Sequence, residues 1–287
     1  MANGWLLYSE EDAVANKAYI EWFIDEADKQ ELTLRLILRE KLQIGILQNE
    51  YGLLLDGRKT EIPEFAVVRT VEPLLNKQLE QLNVHVFNSS YVSEISNHKA
   101  KTYLEVSRLG IPMVDTVFLN GKNVTNEIPF PLPFVIKEAA GRGGRQVYFI
   151  QEKEEWDVFL TMCKPIDYVI QSTDVQLGKD LRVFVVDKEI VGAVLRESNT
   201  DFRANFTLGG SASLYQLNEV EKALIMKIID HFDFGMVGID FLIGRSGELL
   251  FNEIEDVVGS RTLSTVSNMN ILEKYIIYIK QQLKQGS

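Results

Sequence analysis

FVIKEAAGRGGRQVYFI, residues 134–150, sets a glycine-rich loop between two apolar strands. Lys137 ends the first strand, and Gly141, Gly143 and Gly144 form the loop. A P-loop needs Gly-Lys-Ser/Thr and a following helix, and a dinucleotide fingerprint opens a helix after its strand. The stretch has neither. A glycine-rich loop joining two strands is instead a flap whose bare backbone amides can close over phosphates. Lys137 adds a point charge for a phosphate oxygen. Alone, the same pattern also suits a plain hairpin with a snorkelling lysine.

Downstream, residues 238–259 read GIDFLIGRSGELLFNEIEDVVG, a hairpin turning at Gly244–Gly247. Side chains alternate along a strand, so Asp240 on one arm and Glu253 and Glu255 on the other share a face. Ile239, Phe241, Leu249, Leu250 and Phe251 mark both arms as buried, where isolated carboxylates are costly. Three carboxylates there call for a cation between them. Oxygen-only ligands select a hard ion, Mg²⁺ or Mn²⁺. Cations cluster in the same half: Lys99, Lys137, Arg182 and Arg196 on neighbouring strands of one hairpin, and Arg203 with Asn205 two residues on. Each arginine alone suits a surface ion pair. With the flap and the acids, they describe a polyphosphate site.

Around this core the chain has two textures. Residues 1 to about 90 alternate strands (WLLYS, LTLRLILRE, FAVVRT, VHVFN) with helices (residues 10–30 and LLNKQLEQLN), the pattern of a parallel α/β sheet. GILQNEYGLLLDGRKTEIP between them reads as a small hairpin turning at Asp56-Gly57. From about 91 the pattern becomes α+β. SNHKAKTYLEVSRLG is a helix stopped at Gly110, PFPLP is irregular, and paired strands follow, one pair turning at Asp187-Lys188. LNEVEKALIMKIIDHF and the C-terminal MNILEKYIIYIKQQLKQ read as amphipathic helices. The fold class is thus α/β plus α+β.

The 287 residues are 46% hydrophobic and 25% charged, enough for about two domains with real cores and unlike a disordered or fibrous chain. Thirty basic against 41 acidic residues give a net charge of −11, which disfavours generic nucleic-acid binding. Cys163 is the single cysteine, and His85, His98 and His231 have no metal-ligand spacing, so a zinc site is excluded. No apolar run approaches the roughly 18–20 residues of a membrane span, and the N-terminus lacks a signal peptide's basic region. Together these read as a cytoplasmic protein without nucleic-acid or membrane partners.

The order of these motifs resembles the ATP-grasp superfamily, most closely its RimK-like carboxylate–amine ligases. NHK with Lys99, FVIK, the glycine loop, YVIQS, GKDLRVFVV, LRES, DFRANF…GGSAS, GID and FNEIE follow one another over about residues 92–282. The resemblance implies a Rossmann-like pre-ATP-grasp domain over 1–91, a lid subdomain with the flap over 92–173, and a C-terminal subdomain with the metal and phosphate site over 174–287. It implies ATP and Mg²⁺ (or Mn²⁺) as cofactors. Lys99, Lys137, Gly141, Gly143 and Gly144 would contact the nucleotide, Gln171, Ser172 and Thr173 would form the adenine hinge, and Asp180 would lie near the ribose. Arg182, Arg196, Arg203 and Asn205 would surround the phosphates and reacting carboxylate, and Asp240, Glu253 and Glu255 would hold the metal.

Three positions depart from the family's pattern. The hinge, commonly Gln-Glu-aromatic, reads Gln171-Ser172-Thr173; the last metal position, usually Asn, is Glu255; and the Ser-Pro-Gly turn is replaced by Asp256–Arg261. Arg261 thereby becomes a candidate for a substrate carboxylate. The resemblance implies amide or peptide-like bond formation through an acyl phosphate, with ADP and phosphate released. Its default substrates are an amino acid such as glutamate and a peptide or small molecule, and its default assembly is a homo-oligomer. Two alternatives use the same site: a catalytically altered ATP-binding regulatory or scaffold protein, and a small-molecule kinase.

Overall fold

The structure, a computed structural model, describes residues 2–143, 146–198, 200–203 and 210–285. It opens with β1 (Asn3–Tyr8), α1 (Glu10–Ala15), α2 (Lys17–Lys29) and β2 (Thr33–Leu38). β3 (Leu42–Leu47), β4 (Glu50–Leu55) and β5 (Arg58–Lys59) follow, then β6 (Phe65–Val68), α3 (Pro73–Gln81) and β7 (His85–Phe87). β1, β2, β6 and β7 form a parallel sheet in the order β2-β1-β6-β7. Two local readings change. The helix expected over 10–30 breaks at Asn16, whose side-chain amide donates to the Asp12 carbonyl at 2.8 Å and draws the first helix to a close. The expected single hairpin is a three-stranded antiparallel sheet, β3-β4-β5, with a further turn at Gln48-Asn49, both at positive φ.

The next segment runs α4 (Ser90–Ser96), α5 (Lys99–Ser107), β8 (Thr116–Asn120), β9 (Phe134–Glu138), β10 (Val147–Ile150), α6 (Lys153–Met162) and β11 (Asp167–Ser172). Its four strands pair antiparallel in the order β10-β9-β11-β8. Phe134, Ile136, Ile150, Tyr168 and Ile170 bury one face of this sheet against Trp156 and Phe159 of α6. The flap joins β9 to β10. Helix α4 is short and was not expected, because SSYVSEIS has too few residues to show a helical period; Ser89 starts it, its hydroxyl accepting from the Val92 amide.

The last segment runs β12 (Val175–Val186), β13 (Glu189–Glu197), β14 (Ser211–Tyr215), α7 (Glu219–His231), β15 (Met236–Gly244), β16 (Leu249–Glu255), α8 (Arg261–Val266) and α9 (Ile271–Gln285). The five strands form an antiparallel sheet, β14-β13-β12-β15-β16. One face packs Leu181, Val183, Ile239, Phe241 and Phe251 onto α7 and α5. C-terminal α9 returns to the N-terminal segment. Tyr275, Ile276 and Ile279 share a core with Phe23 of α2, Phe65 of β6 and Phe184 of β12. The junction between the parallel sheet and the five-stranded sheet is therefore apolar and extensive.

Candidate active site

A cleft of about 370 Å³ lies between the flap sheet and the five-stranded sheet, lined from both sides by polar and apolar groups. Strand register explains its polar wall. Across the five-stranded sheet Asp180 pairs with Arg196, Arg182 with Asp240, and Asp240 with Glu253. One face thus carries a row of alternating charge: Arg196 on β13, Asp180 and Arg182 on β12, Asp240 on β15 and Glu253 on β16. Directly opposed side chains of opposite sign are the favourable cross-strand arrangement.

The contacts are short. Arg182 donates from Nε and Nη2 to the two carboxylate oxygens of Asp240 at 2.7 Å each, and its Nη1 lies 2.7 Å from Glu255 Oε2. Arg196 grips Asp180 through Nε and Nη2 at 2.5 and 2.8 Å, and its Nη2 also reaches Asp240 Oδ2 at 2.8 Å. Burial opposes ionisation of Asp240, but the two guanidiniums outweigh it and hold that carboxyl well below the usual range. Asp180 has less compensation. Burial pushes it up to about 6 despite Arg196.

A β-bulge supplies the rest of this wall. Leu249 and Phe251 of β16 point into the core, and strict alternation would send Glu253 and Glu255 after them. The register slips between Asp240 and Phe241, so Ile254 is buried instead and both glutamates emerge on the cleft face. Asn252, between Phe251 and Glu253, faces the cleft as well, and its side-chain oxygen accepts from Lys137 Nζ at 2.8 Å. Sequence reading missed Asn252. Its signal was the apolar pattern Leu249, Phe251, Ile254, which changes phase at that point.

Gly238 lies opposite Glu255 and leaves room for this network. A Cβ there would meet a Val258 methyl at 2.8 Å and Arg182 Cδ at 3.5 Å. Gly178, at φ +73°, lets β12 approach the loop after β13, where a Cβ would stand 2.4 Å from the Ser198 carbonyl oxygen. Its amide donates to the Phe202 carbonyl at 2.8 Å, bringing Arg203 to the cleft. Arg203 is held bidentately by Asp201, at 2.9 and 2.7 Å.

The lid side contributes Lys99 and Lys137. Lys99, the first residue of α5, donates to the Gly141 carbonyl of the flap and lies 3.3 Å from Glu253 Oε2. Burial pushes the Lys137 ammonium down to about 8, partly offset by Glu253 and further lowered by Lys99. Lys137 is therefore charged below pH 8 and neutral above it. For the wild type, ADP affinity is expected to hold steady up to pH 8 and then fall, by up to about tenfold per pH unit. Lys137→Met should flatten this profile; an unchanged fall in the variant, followed by calorimetry, would assign it to another group.

Gln171, Ser172 and Thr173 line the cleft end. The Gln171 side chain is turned inward, its amide donating to Tyr103 Oη at 2.7 Å. The Ser172 amide is already spent on the Asp115 carbonyl at 3.0 Å, so a ligand at this hinge must use other backbone groups. Arg261, the first residue of α8, stands at the rim beside Gly259 and Thr262. Gly141 and Gly143 line the cleft, whereas Gly144 and Asn205 lie outside the described residues.

The cleft therefore gathers Lys99, Lys137, Gln171, Ser172, Thr173, Asp180, Arg182, Arg196, Arg203, Asp240, Glu253, Glu255 and Arg261 around one space. As the side chains stand, no group of three acidic, histidine or cysteine side chains among the described residues is close enough to hold one ion. Guanidinium and ammonium partners relieve the repulsion among Asp240, Glu253 and Glu255 instead. The donor set is all oxygen, which suits Mg²⁺ or Mn²⁺ over a softer metal. Glu253 and Glu255, one-third exposed, are the acids best placed to turn toward one.

Comparison with known proteins gives a consistent result. Residues 96–279, more than half of the chain, match the model of the RimK-like ATP-grasp domain. Human N-acetylaspartylglutamate synthase A is 26% identical over 85% of this chain and 66% of its own. The glutamate–LysW ligase ArgX of Sulfurisphaera tokodaii is 27% identical over 71% of this chain and 75% of its own. Among solved structures, the ATP-grasp ligase PsnB complexed with a minimal precursor superposes with a TM-score of 0.73 at 13% identity, covering 97% of this chain and 98% of that one. At that identity the likeness shows the fold, which is ATP-grasp.

Proposed function

The chain belongs to the RimK-like ATP-grasp family, ATP-dependent enzymes that form C–N bonds between a carboxylate and an amine, and from this premise we propose that it joins a glutamate-type amino acid to a peptide or small molecule through an acyl phosphate made in the cleft. The observation that carries this reading is the alternating charge row across β13, β12, β15 and β16, facing the flap and its two lysines. In the first half-reaction a substrate carboxylate oxygen attacks the γ-phosphorus, the bond to the β-phosphate oxygen breaks, and ADP leaves. In the second, the amine nitrogen attacks the acyl carbon, its proton passes to solvent, and inorganic phosphate departs.

Each residue has a part in this proposal. Lys99 and Lys137 bind nucleotide phosphates beneath the flap, and Gln171 to Thr173 form the adenine end, with Asp180 at the ribose. Arg182, Arg196 and Arg203 neutralise charge that develops on the transferring phosphoryl group, positioning rather than attacking. Asp240, Glu253 and Glu255 would hold Mg²⁺, which when bound shields the polyphosphate. Arg261 at the rim binds a substrate carboxylate. The flap excludes water from the acyl phosphate. The division into units at residues 91/92 and 173/174 belongs to the same reading.

The test is ADP release from Mg²⁺-ATP against pools of amino acids and peptides. Release that requires one amino-acid pool together with one acceptor supports the reading, and Arg261→Ala should then raise the KM of the carboxylate substrate about tenfold or more with nucleotide KM unchanged. A stable phosphorylated small molecule as the product would favour a kinase. Tight nucleotide binding with no turnover in any pool would favour a scaffold.

A further inference from the structure

Seven buried polar side-chain atoms have no hydrogen-bond partner among the described residues, and five of them belong to Tyr8, Tyr19, Arg69, Thr70 and Ser260. These residues meet in one place. The Arg69 guanidinium lies over the Tyr19 ring, 5.8 Å from its centroid, with the Tyr8 hydroxyl beside it and the Ser260 hydroxyl beside Tyr19. Arg69 Nη2 donates to the Val258 carbonyl at 2.8 Å, while Nε has no acceptor. Arg69 is 8% exposed and forms no ion pair among the described residues. An acid within electrostatic reach of it is the buried Asp256, whose carboxylate accepts from the Asn97 amide at 2.9 Å, and a buried guanidinium without a directly hydrogen-bonded carboxylate is costly. The hydroxyls of Tyr8, Tyr19 and Ser260 around Arg69 make the cluster rich in donors and short of strong acceptors.

Its place in the fold is equally specific. Tyr8 ends β1, and Arg69 and Thr70 directly follow β6. In the parallel sheet β2 flanks β1 on one side and β6 on the other, so the strand order reverses between β1 and β6. Ligands of open parallel sheets bind outside the carboxyl ends of the strands at such a reversal. Here the crevice is closed by the Asp256–Arg261 turn. Gly259, Arg261 and Thr262 of this stretch line the cleft, while Val258 and Ser260 meet Arg69 and Tyr19. The cleft and the cluster share one wall.

We propose that Arg69, with the hydroxyls of Tyr8, Tyr19 and Ser260, is the subsite for a carboxylate that does not react, the α-carboxylate of the amino-acid substrate. One guanidinium among hydroxyls and aromatic faces, with the Asp256 carboxylate already within electrostatic reach, suits a singly charged carboxylate better than a doubly charged phosphate. A carboxylate seated there leaves the rest of the amino acid beside the shared wall, next to the space where the C–N bond forms. The proposal rests on the ligase reading of the cleft and adds which end of the amino acid is recognised, and by which segment.

The test is calorimetric binding of L-glutamate and of its α-carboxamide to the full-length protein with Mg²⁺-ADP present. The wild type is expected to prefer L-glutamate by about 30-fold or more. Arg69→Met should abolish that preference and weaken L-glutamate by a similar factor, and Arg69→Lys should restore part of it. Tyr19→Phe, which removes one donor without opening a void, should weaken L-glutamate several-fold and leave the α-carboxamide unaffected. A wild type that binds both compounds equally, or an Arg69→Met protein that still prefers L-glutamate, overturns the proposal and leaves Arg69 as a tie to Val258 over trapped water. Because binding needs no turnover, a chain that discriminates the two compounds yet never releases ADP would count against the ligase chemistry and not against the subsite.

Discussion

Asp240→Asn is expected to lower substrate-dependent ADP release by about 10³-fold and to destabilise the fold by about 3–5 kcal/mol. Asp240 is 2% exposed and takes three short hydrogen bonds from buried Arg196 and half-buried Arg182. The amide is the same size but can accept at one atom only, and its NH₂ group would confront a guanidinium. Arg182 keeps Glu255 and Arg196 keeps Asp180, so each retains one partner and loses the shared one. The pH dependence has a definite sign. Asp240 is held well below the ordinary carboxylate range, so its stabilising contribution is complete above the unfolded value, near 4, and is lost as pH falls toward the native one. The stability gap between wild type and variant should therefore be full at neutral pH and shrink under acid. Denaturant unfolding at several pH values measures it. A gap that persists unchanged in acid would place the stabilisation elsewhere.

Glu253→Gln should behave differently, losing about 10²–10³ in turnover with little change in stability. Its side chain is one-third exposed, and it pairs with Lys99 at 3.3 Å, a contact of modest worth so close to solvent. What the substitution removes is an anionic oxygen beside the phosphate-facing lysines. The Mg²⁺ concentration giving half-maximal activity should rise about tenfold or more. Glu253→Gln with wild-type Mg²⁺ dependence would remove Glu253 from the ion-holding set and leave it as a partner of Lys99. The contrast between the two variants separates an acid that holds the sheet's charge row together from one kept available for a ligand.

Much of this site is legible in the chain because strand chemistry is local. GID and FNEIE sit on adjacent arms of one hairpin whose turn is readable, so the turn brings the two segments side by side, while the pairing of Asp240 with Glu253 also needs the bulge between Asp240 and Phe241. The Asp187-Lys188 turn likewise brings the Arg182 and Arg196 strands together, and a register shift between Phe184 and Val185 puts the two arginines on one face. Three features were not legible. The bulge that puts Asn252 and Glu253 side by side on the cleft face changes the phase of β16, and a one-residue slip leaves a faint trace in an apolar pattern. That Asp240 would be bound by two arginines depends on the register of β12 with β15, which are far apart in sequence. The Arg69 cluster joins residues from β1, α2, the end of β6 and the turn before α8, none adjacent in the chain. VVRT and VVGSR carry no motif, and only packing α9 and α2 between the two sheets brings them together. Local patterns specify elements and nearby pairs; meeting points of distant segments are set by packing.

Isotope transfer shows whether a carboxylate is activated by accepting the γ-phosphoryl group itself. The acid substrate, identified from ADP release, is supplied with both carboxylate oxygens as ¹⁸O, and the phosphate and ligated product are examined by mass spectrometry. Activation through an acyl phosphate sends one ¹⁸O atom into each inorganic phosphate released and leaves one in the new amide. Phosphate free of label, with ADP still formed, would rule out the acyl phosphate, since the carboxylate oxygen would then never have bonded to phosphorus.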